Sequence, residues 1–436
     1  MQSVLQGSPE AGEALLGLMS ECCDLRGFGA EVMRLAIDAL MSAEADALCG
    51  AACGERSGGR SNSRNGYRRR TLKTALGDVE LDVPRLRRGT YCPESVLSRW
   101  SRVEASLAAL VVEAYVNGVS TRDMSLLAGS LGVSSLSASE VSRLTAELDG
   151  QVGELRSRRL DDQRYCCLWV DATYVRCRVS GRSVSQAVVT AIALGEDGRK
   201  RLVGLDCVDT ESYADWRTFL ASIRSRGLSG LVLCVSDDHA GLVRALAEVF
   251  QGAAWQRCTV HLQRNVAAKV RSAGNGRLVR ELAKAVFAEG DAMVCRAAYG
   301  RACDAVRAAG EPACADLLEA ARGDALQYLS LPREHWRRVR TNNVQERANR
   351  EIERRYRSVQ SFPSRESPLR LVGAVVLEEE DAWAHQRVFS PESTARAWEA
   401  PSAPAPDGAL ARAVAEADRR AEALVASVVD RWGSEA

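Results

Sequence analysis

The spacing of apolar positions changes several times along the chain, and each change marks a different kind of element. Up to about residue 53, apolar and polar residues alternate at helical spacing, as in Val32, Leu35, Ala36 and Leu40. From Gly54 to Arg70, glycine, serine, asparagine and arginine dominate without a core-forming pattern, which reads as a linker or arm. Thr71–Thr74 and Asp78–Val83 then alternate on either side of Leu76 and Gly77, the pattern of a hairpin. Residues 103–149 are helical again. There the run from Val119 to Asp123 leads into an apolar helix, and a turn at Gly132–Ser134 precedes a second helix opening at Ser137. Ser137 with Glu140 has the spacing of a capping box. Two short helices about a glycine turn fit a helix-turn-helix, and they also fit an ordinary helical hairpin, which is far commoner.

From Tyr165 the texture becomes strand-like. The pattern predicts strands over Cys166–Val179, Ser185–Leu194 and Lys200–Val208, with turns at Gly181, Arg182 and at Glu196–Gly198. A helix over Tyr213–Arg226, a strand over Leu231–Ser236, a helix over Gly241–Phe250, a strand over Ala254–Arg257 and a further helix through His261, Val266 and Val270 complete the run. Three meandering strands followed by crossover units give one mixed sheet covered by helices. That is the element order of the ribonuclease H-like fold, in which the first and fourth strands lie side by side. Residues 272–335 are helical throughout and read as an all-helical insertion. A helix over Asn343–Tyr356 closes the sheet domain, which runs to about residue 390. A tail broken by Pro401, Pro404 and Pro406 follows, with one amphipathic helix, Leu410–Val429.

The expected division is therefore a helical region (1–53), a basic arm and hairpin (54–102), a helix-turn-helix region (103–160), a split α/β catalytic domain (161–271 and 336–390) around the insertion, and a tail from 391. The overall charge of +1 says nothing about nucleic acid, but it conceals a local excess. Between Arg56 and Arg102, twelve basic residues face only Asp78, Glu80, Asp82 and Glu94, a net of +8. No signal peptide or bilayer-spanning run is apparent, so a cytoplasmic, nucleoid-associated location is expected. Cysteines inside strand-like runs (Cys166, Cys167, Cys177, Cys207, Cys234) read as reduced, buried thiols.

Several residues carry candidate chemistry. Asp171 interrupts an apolar strand, where a lone carboxylate is costly to bury unless it pairs or binds a cation. Asp237 and Asp238 close a strand before a helix; one could cap that helix while the other binds metal, and local pattern does not assign them. Asn343 and Glu346 have capping-pair spacing, and Glu346 stands four residues before Arg350, as in an ordinary surface ion pair. Cys258 and His261 form half a zinc site without a second half, so a structural role is expected.

Taken in order, these segments resemble the mutator-type transposases of bacterial insertion sequences. The resemblance rests on Asp237 with Gly241 four residues on, then Gln256, Cys258 and His261. It rests also on Val170 to Tyr174, and on Arg340 through Glu346 to Asn349 with Arg354 and Arg355. Asn65 to Arg68 and Gly118 to Asp123 match further upstream, so the likeness runs from about residue 60 to 385. Asp238 departs from the family pattern, which usually has a small residue there, and Gln251 replaces a residue that is commonly Pro or Thr.

The resemblance implies a DNA-cutting and joining enzyme of the DDE type with a catalytic, metal-binding triad of Asp171, Asp237 and Glu346. Two Mg²⁺ ions about 4 Å apart can activate a nucleophile and stabilise a leaving oxygen, with Mn²⁺ able to substitute, and hard oxygen ligands suffice to hold them. It also implies that the N-terminal half binds terminal inverted repeats. The candidate DNA contacts are Arg64, Arg68, Arg69, Arg70, Arg122, Ser139 and Arg143. Joining two ends to a target DNA points to a homodimer, one that DNA itself could assemble. The rival readings are a ribonuclease H-like nuclease that cuts without joining and a catalytically silent DNA-binding protein derived from a transposase.

Overall fold

The computed structural model describes residues 16–22, 24–55, 58–91, 103, 105–179, 182–357, 359, 362, 364–399 and 409–435. Arg56, Arg99, Arg102, Glu94, Gly181 and the three tail prolines fall outside them. The chain divides into two units, 1–147 and 148–436.

In the first unit, helix α1 (Leu25–Cys49) is capped by the Asp24 side chain at its start and by left-handed Gly50 (φ 69°) at its end. The antiparallel ribbon that follows, β1 (Arg64–Thr74) and β2 (Gly77–Leu86), is longer than the expected hairpin. Strand β1 takes in Arg64–Arg70, which the sequence reading assigned to a linker. Its outer half is held by backbone pairing while its side chains stay largely exposed, so the pattern carries no core signal there. Leu72, Val79, Leu81 and Val83 bury one face of the ribbon against Met41 of α1. A further helix, α2 (Ala105–Val116), packs Leu107 and Val111 against two shorter helices, α3 (Thr121–Ser130) and α4 (Ala138–Leu144).

The Ser137 and Glu140 capping box at the start of α4 is formed in both directions. Glu140 also accepts a 2.8 Å bond from Lys73 of β1, whose ammonium reaches the Ser135 carbonyl as well. Burial alone would raise the Glu140 carboxyl, but the bonds from Lys73 and Ser137 outweigh it and hold it down to about 2. A carboxylate with a depressed folded pKa contributes stability above its unfolded value, and loses that contribution as the pH falls through the folded one. Lys73→Met should therefore lower the melting temperature of the first unit at pH 7. The cost is on the order of 3 kcal/mol at most, from the size of the shift. The difference from the parent chain should shrink between pH 4.5 and 2; a difference independent of pH would refute the assignment.

The second unit opens with α5 (Glu147–Ser157) and builds a five-stranded sheet in the order β5–β4–β3–β6–β7. These strands are β3 (Tyr165–Val179), β4 (Arg182–Gly195), β5 (Lys200–Val208), β6 (Leu233–Ser236) and β7 (Ala254–Arg257). The first three are antiparallel, and β6 and β7 join parallel to β3, so the expected neighbours β3 and β6 are adjacent. Helices α6 (Tyr213–Ser225) and α7 (Ala240–Val249) cover one face, burying Trp216, Phe219, Leu242 and Leu246 against Leu168 and Val170. After α8 (Thr259–Ala267) come α9 (Ala273–Ala288), α10 (Ala292–Ala308) and α11 (Pro312–Ala325), the expected helical segment. Helix α12 (Asn343–Tyr356) returns to the sheet.

Two features differ from the sequence reading. A long helix, α13 (Glu366–Ala384), follows α12 and packs near β5; its apolar run Leu371–Val376 is buried on all sides, so it lacks the one-sided stripe that marks a surface helix. The last helix, α14 (Ala409–Glu435), is the expected amphipathic one but runs past its expected end at Val429. Ala417, Ala421, Val425 and Val428 bury it, it packs on α9 and α10, and Trp432 donates to the Gly274 carbonyl. Among the described residues the cysteines are free thiols, and no helix is long and apolar enough to cross a membrane.

Candidate active site

Asp171 sits on β3, on the same strand face as Trp169, turned away from the layer that holds Leu168 and Val170. Strand β6 runs beside it with Trp169 opposite Val235; two residues further along the same register, Asp171 comes level with Asp237. Asp237 is half-buried. Asp238 is committed elsewhere, in a 2.9 Å ion pair with the buried guanidinium of Arg257. Neither aspartate caps the next helix: the N-cap of α7 is His239, without a side-chain bond. Of the two aspartates, Asp237 is the one whose charge acts on Asp171.

A further acid joins them, one that no pattern along the chain singles out. Glu211, in the loop between β5 and α6, acts electrostatically on Asp171 and on the Tyr174 hydroxyl. Gly241 explains how that loop comes so near. A Cβ there would stand 3.0 Å from the Tyr213 nitrogen and 3.3 Å from the Glu211 carbonyl, so only glycine lets α7 meet the loop unshifted.

Glu346 is set on the first turn of α12, and that turn is tied to β3 by side chains. Asn342 donates to the Val170 carbonyl at 3.2 Å, and Gln345 donates to Trp169 at 2.8 Å and Thr190 at 3.1 Å. The hydroxyl of Thr190 returns a bond to Gln345, and Trp169 donates to the Thr341 carbonyl. One turn on, Asn349 donates to the Asp171 carboxylate at 2.9 Å. The expected capping pair of Asn343 and Glu346 does not form. The N-cap is Asn342, which spends its side chain on β3 and caps nothing. Glu346 instead faces α8, 3.2 Å from Arg264 and 3.8 Å from His261. Cys258 is buried and accepts a bond from the Asn342 nitrogen, while Gln256 ties β7 to Ala325 and Tyr328 at the end of α11. Among the described residues, no three His, Cys, Asp or Glu side chains stand close enough to enclose a metal ion.

Burial pushes the Asp171 carboxyl up to about 7; the backbone bond from Ala172 opposes this, and the negative charges of Asp237, Glu211 and Glu346 add to it. Like charges around one desolvated acid are unfavourable unless a proton or a counter-charge offsets them.

In the first unit, Arg68, Arg122, Ser139 and Arg143 are exposed, Arg69 makes a loose 3.8 Å pair with Asp82, and Arg70 is half-buried. Arg64 is placed differently: its guanidinium is buried on α1, 2.6 Å from Asp46 and bonded to Ser42.

A family model for transposases of the Mutator family matches residues 16–386. The chain belongs to that family. It is 42% identical, over 81% of its length and 85% of the relative's, to the transposase for insertion sequence element IS1081 of Mycobacterium tuberculosis. It is 36% identical to the transposase for IS256 in transposon Tn4001 of Staphylococcus aureus, over 73% of this chain and 82% of that one. The transposase for IS406 of Burkholderia multivorans is 34% identical, over 82% of this chain and 92% of its own. Members of this Mutator family are thus insertion-sequence transposases. A solved Drosophila P element transposase strand transfer complex aligns at 13% identity and a TM-score of 0.27, covering 70% and 85% of the two chains, too loosely to carry an argument.

The raised Asp171 pKa gives a signed expectation. An acid whose folded pKa lies above its unfolded one has its full stabilising share at low pH and loses it as the pH rises through about 7. Without divalent cations, Asp171→Asn should raise the melting temperature at pH 8 and have a smaller effect at pH 5. An equal shift at both values would show that the carboxyl is not held against like charge.

Proposed function

We propose that this Mutator-family transposase binds the terminal inverted repeats of its element and cuts and joins DNA with a DDE triad of Asp171, Asp237 and Glu346 on a ribonuclease H-like sheet. The observation that carries the reading is the like-charge environment of Asp171, with Asp237 and Glu346 among its sources. The donor set is all carboxylate, which suits Mg²⁺, or Mn²⁺ in its place, and offers nothing to softer metals. Bound there, two such ions would supply an activated nucleophile and a stabilised leaving oxygen. Asp171 and Asp237 would hold one edge of the site and Glu346 the other, with Glu211 a further oxygen donor within reach. Glu346 must release Arg264 to join them. That pair costs little to break, because Arg264 is exposed and such pairs contribute ~0–1 kcal/mol. Asn349 holds the Asp171 carboxylate in place.

Asp171→Asn, Asp237→Asn and Glu346→Gln should each abolish strand cleavage while leaving binding to the element's ends largely intact, since shape is kept and charge lost. Asp238→Gly should be milder, because its charge serves Arg257. Cleavage at the parent rate by any triad variant would remove that residue from the site, and loss of activity in Asp238→Gly alone would mean that the wrong neighbour had been chosen.

End recognition is assigned to the first unit, with α3 and α4 as a helix-turn-helix. Arg68, Arg69, Arg70, Arg122, Ser139 and Arg143 would meet phosphates and groove edges, whereas Arg64 supports the fold. Each neutralised phosphate releases counterions, so affinity of the full chain for repeat DNA should fall by roughly 10³-fold between 50 and 200 mM salt if about six phosphates are engaged. Arg68→Ala or Arg143→Ala should weaken binding. Equal affinity for repeat and random duplex would sink the assignment. Two active sites acting on two ends call for a homodimer, assembled on the DNA.

A further inference from the structure

On the other flank of α12 from Glu346 lies a cavity of about 260 Å³ between that helix, α13 and the start of β5. Its lining is strongly cationic: Lys200, Arg337, Arg338 and Arg347 contribute, against the single acid Glu379. Among the described residues none of the four makes an ion pair with a carboxylate. We propose that this cavity is a phosphate-binding site, separate from the carboxylates of the active site, that takes a phosphate group on a nucleotide or on a DNA strand.

Three independent features support it. Thr341 lines the cavity with only 7% of its surface exposed, and its hydroxyl is buried without any hydrogen-bond partner. A buried, unmet hydroxyl is unfavourable unless a ligand or water satisfies it. The first helical residues of α12, Asn343 and Val344, also line the cavity, and the N-cap side chain leaves their backbone N–H groups unserved. Such groups at a helix start favour an anion. Lastly, the cations crowd one another. The Lys200 ammonium lies 4.4 Å from the centre of the Trp383 ring, and burial together with Arg347 and Arg338 depresses its pKa to about 8. Four cations with only Glu379 to offset them are unfavourable in the free protein, and an oxyanion with several acceptor oxygens resolves this. Guanidinium forks match phosphate geometry, and Lys200 adds a point charge. Pocket volume suits a single phosphate-bearing group better than a stretch of duplex. The inference does not require the carboxylates to act as proposed above.

The test uses the full chain and the reactivity of Lys200 toward an amine-acylating reagent, read by peptide mass spectrometry beside Lys269 and Lys284. Inorganic pyrophosphate at roughly ten times its Kd should slow modification of Lys200 about tenfold relative to sodium chloride of equal ionic strength, leaving Lys269 and Lys284 unchanged. Thr341→Val should keep or raise the melting temperature, since its hydroxyl bonds nothing, and yet weaken protection; Arg338→Gln and Arg347→Gln should weaken it too. Protection by pyrophosphate and not by a short random duplex assigns the site to a free phosphate ligand; protection by both assigns it to the DNA backbone. Either result supports the site. No protection by either, or protection unchanged in all three variants, overturns it.

Discussion

Hydrogen bonds from Asn342 and Gln345 to the backbone of β3 and β4 fix where α12 begins, and most of the functional geometry follows from that. The helix is strongly polar, with four of its fourteen residues buried, so apolar packing alone would hold its register weakly. A Gln amide bonded to two carbonyls on adjacent strands admits one register. Slipping α12 by one residue would leave the Gln345 amide buried and unmet, at a cost of about 1–3 kcal/mol. In the observed register, Asn349 reaches Asp171, Glu346 is turned toward α8, and Arg347 looks to the opposite flank.

That division gives α12 two faces of opposite electrostatic sign. On one side, burial and then the charges of Asp237, Glu211 and Glu346 raise the proton affinity of the Asp171 carboxyl. On the other, burial and then Arg347 and Arg338 lower that of the Lys200 ammonium. Each cluster is unfavourable by itself in a low-dielectric setting, and each becomes favourable with a counter-charge supplied from outside. Lys73 and Glu140 in the first unit show the alternative solution, where opposite charges are paired within the fold and the carboxyl is depressed instead. The contrast separates charges paired within the fold from those that the proposed ligands would neutralise.

The strands and their order were legible because they follow period-2 alternation and unbroken apolar runs; Lys200–Val208, Ala254–Arg257 and Asn343–Tyr356 match the expected bounds. Asp171 could be read because an acid in an apolar strand violates a local rule. Glu346 could not: its spacing looks like a surface ion pair, and only family likeness drew it out. Glu211 stayed invisible because nothing local distinguishes a loop glutamate, and its position depends on Gly241 admitting the loop. Arg64 read as one of several arm arginines, since a composition count cannot see Asp46 on another element. The helix α13 escaped because burial on all sides removes the amphipathic stripe.

The same logic bears on why polar rather than apolar residues occupy these buried junctions. Gln256 bonds the Ala325 carbonyl and the Tyr328 nitrogen, joining the edge strand β7 to the end of the helical segment, as Gln345 joins α12 to the sheet's centre. Apolar substitutes of similar volume could bury as much surface, yet they would leave those backbone groups without partners and would accept neighbouring registers almost equally. The proposed site, with single carboxylates on β3, after β6 and on α12, would not tolerate such a shift, because displacement of any one by a residue turns its side chain to another face. The buried amides therefore trade a high cost of error for a unique alignment. That requirement is met where β3 and β7 receive helices from distant parts of the chain.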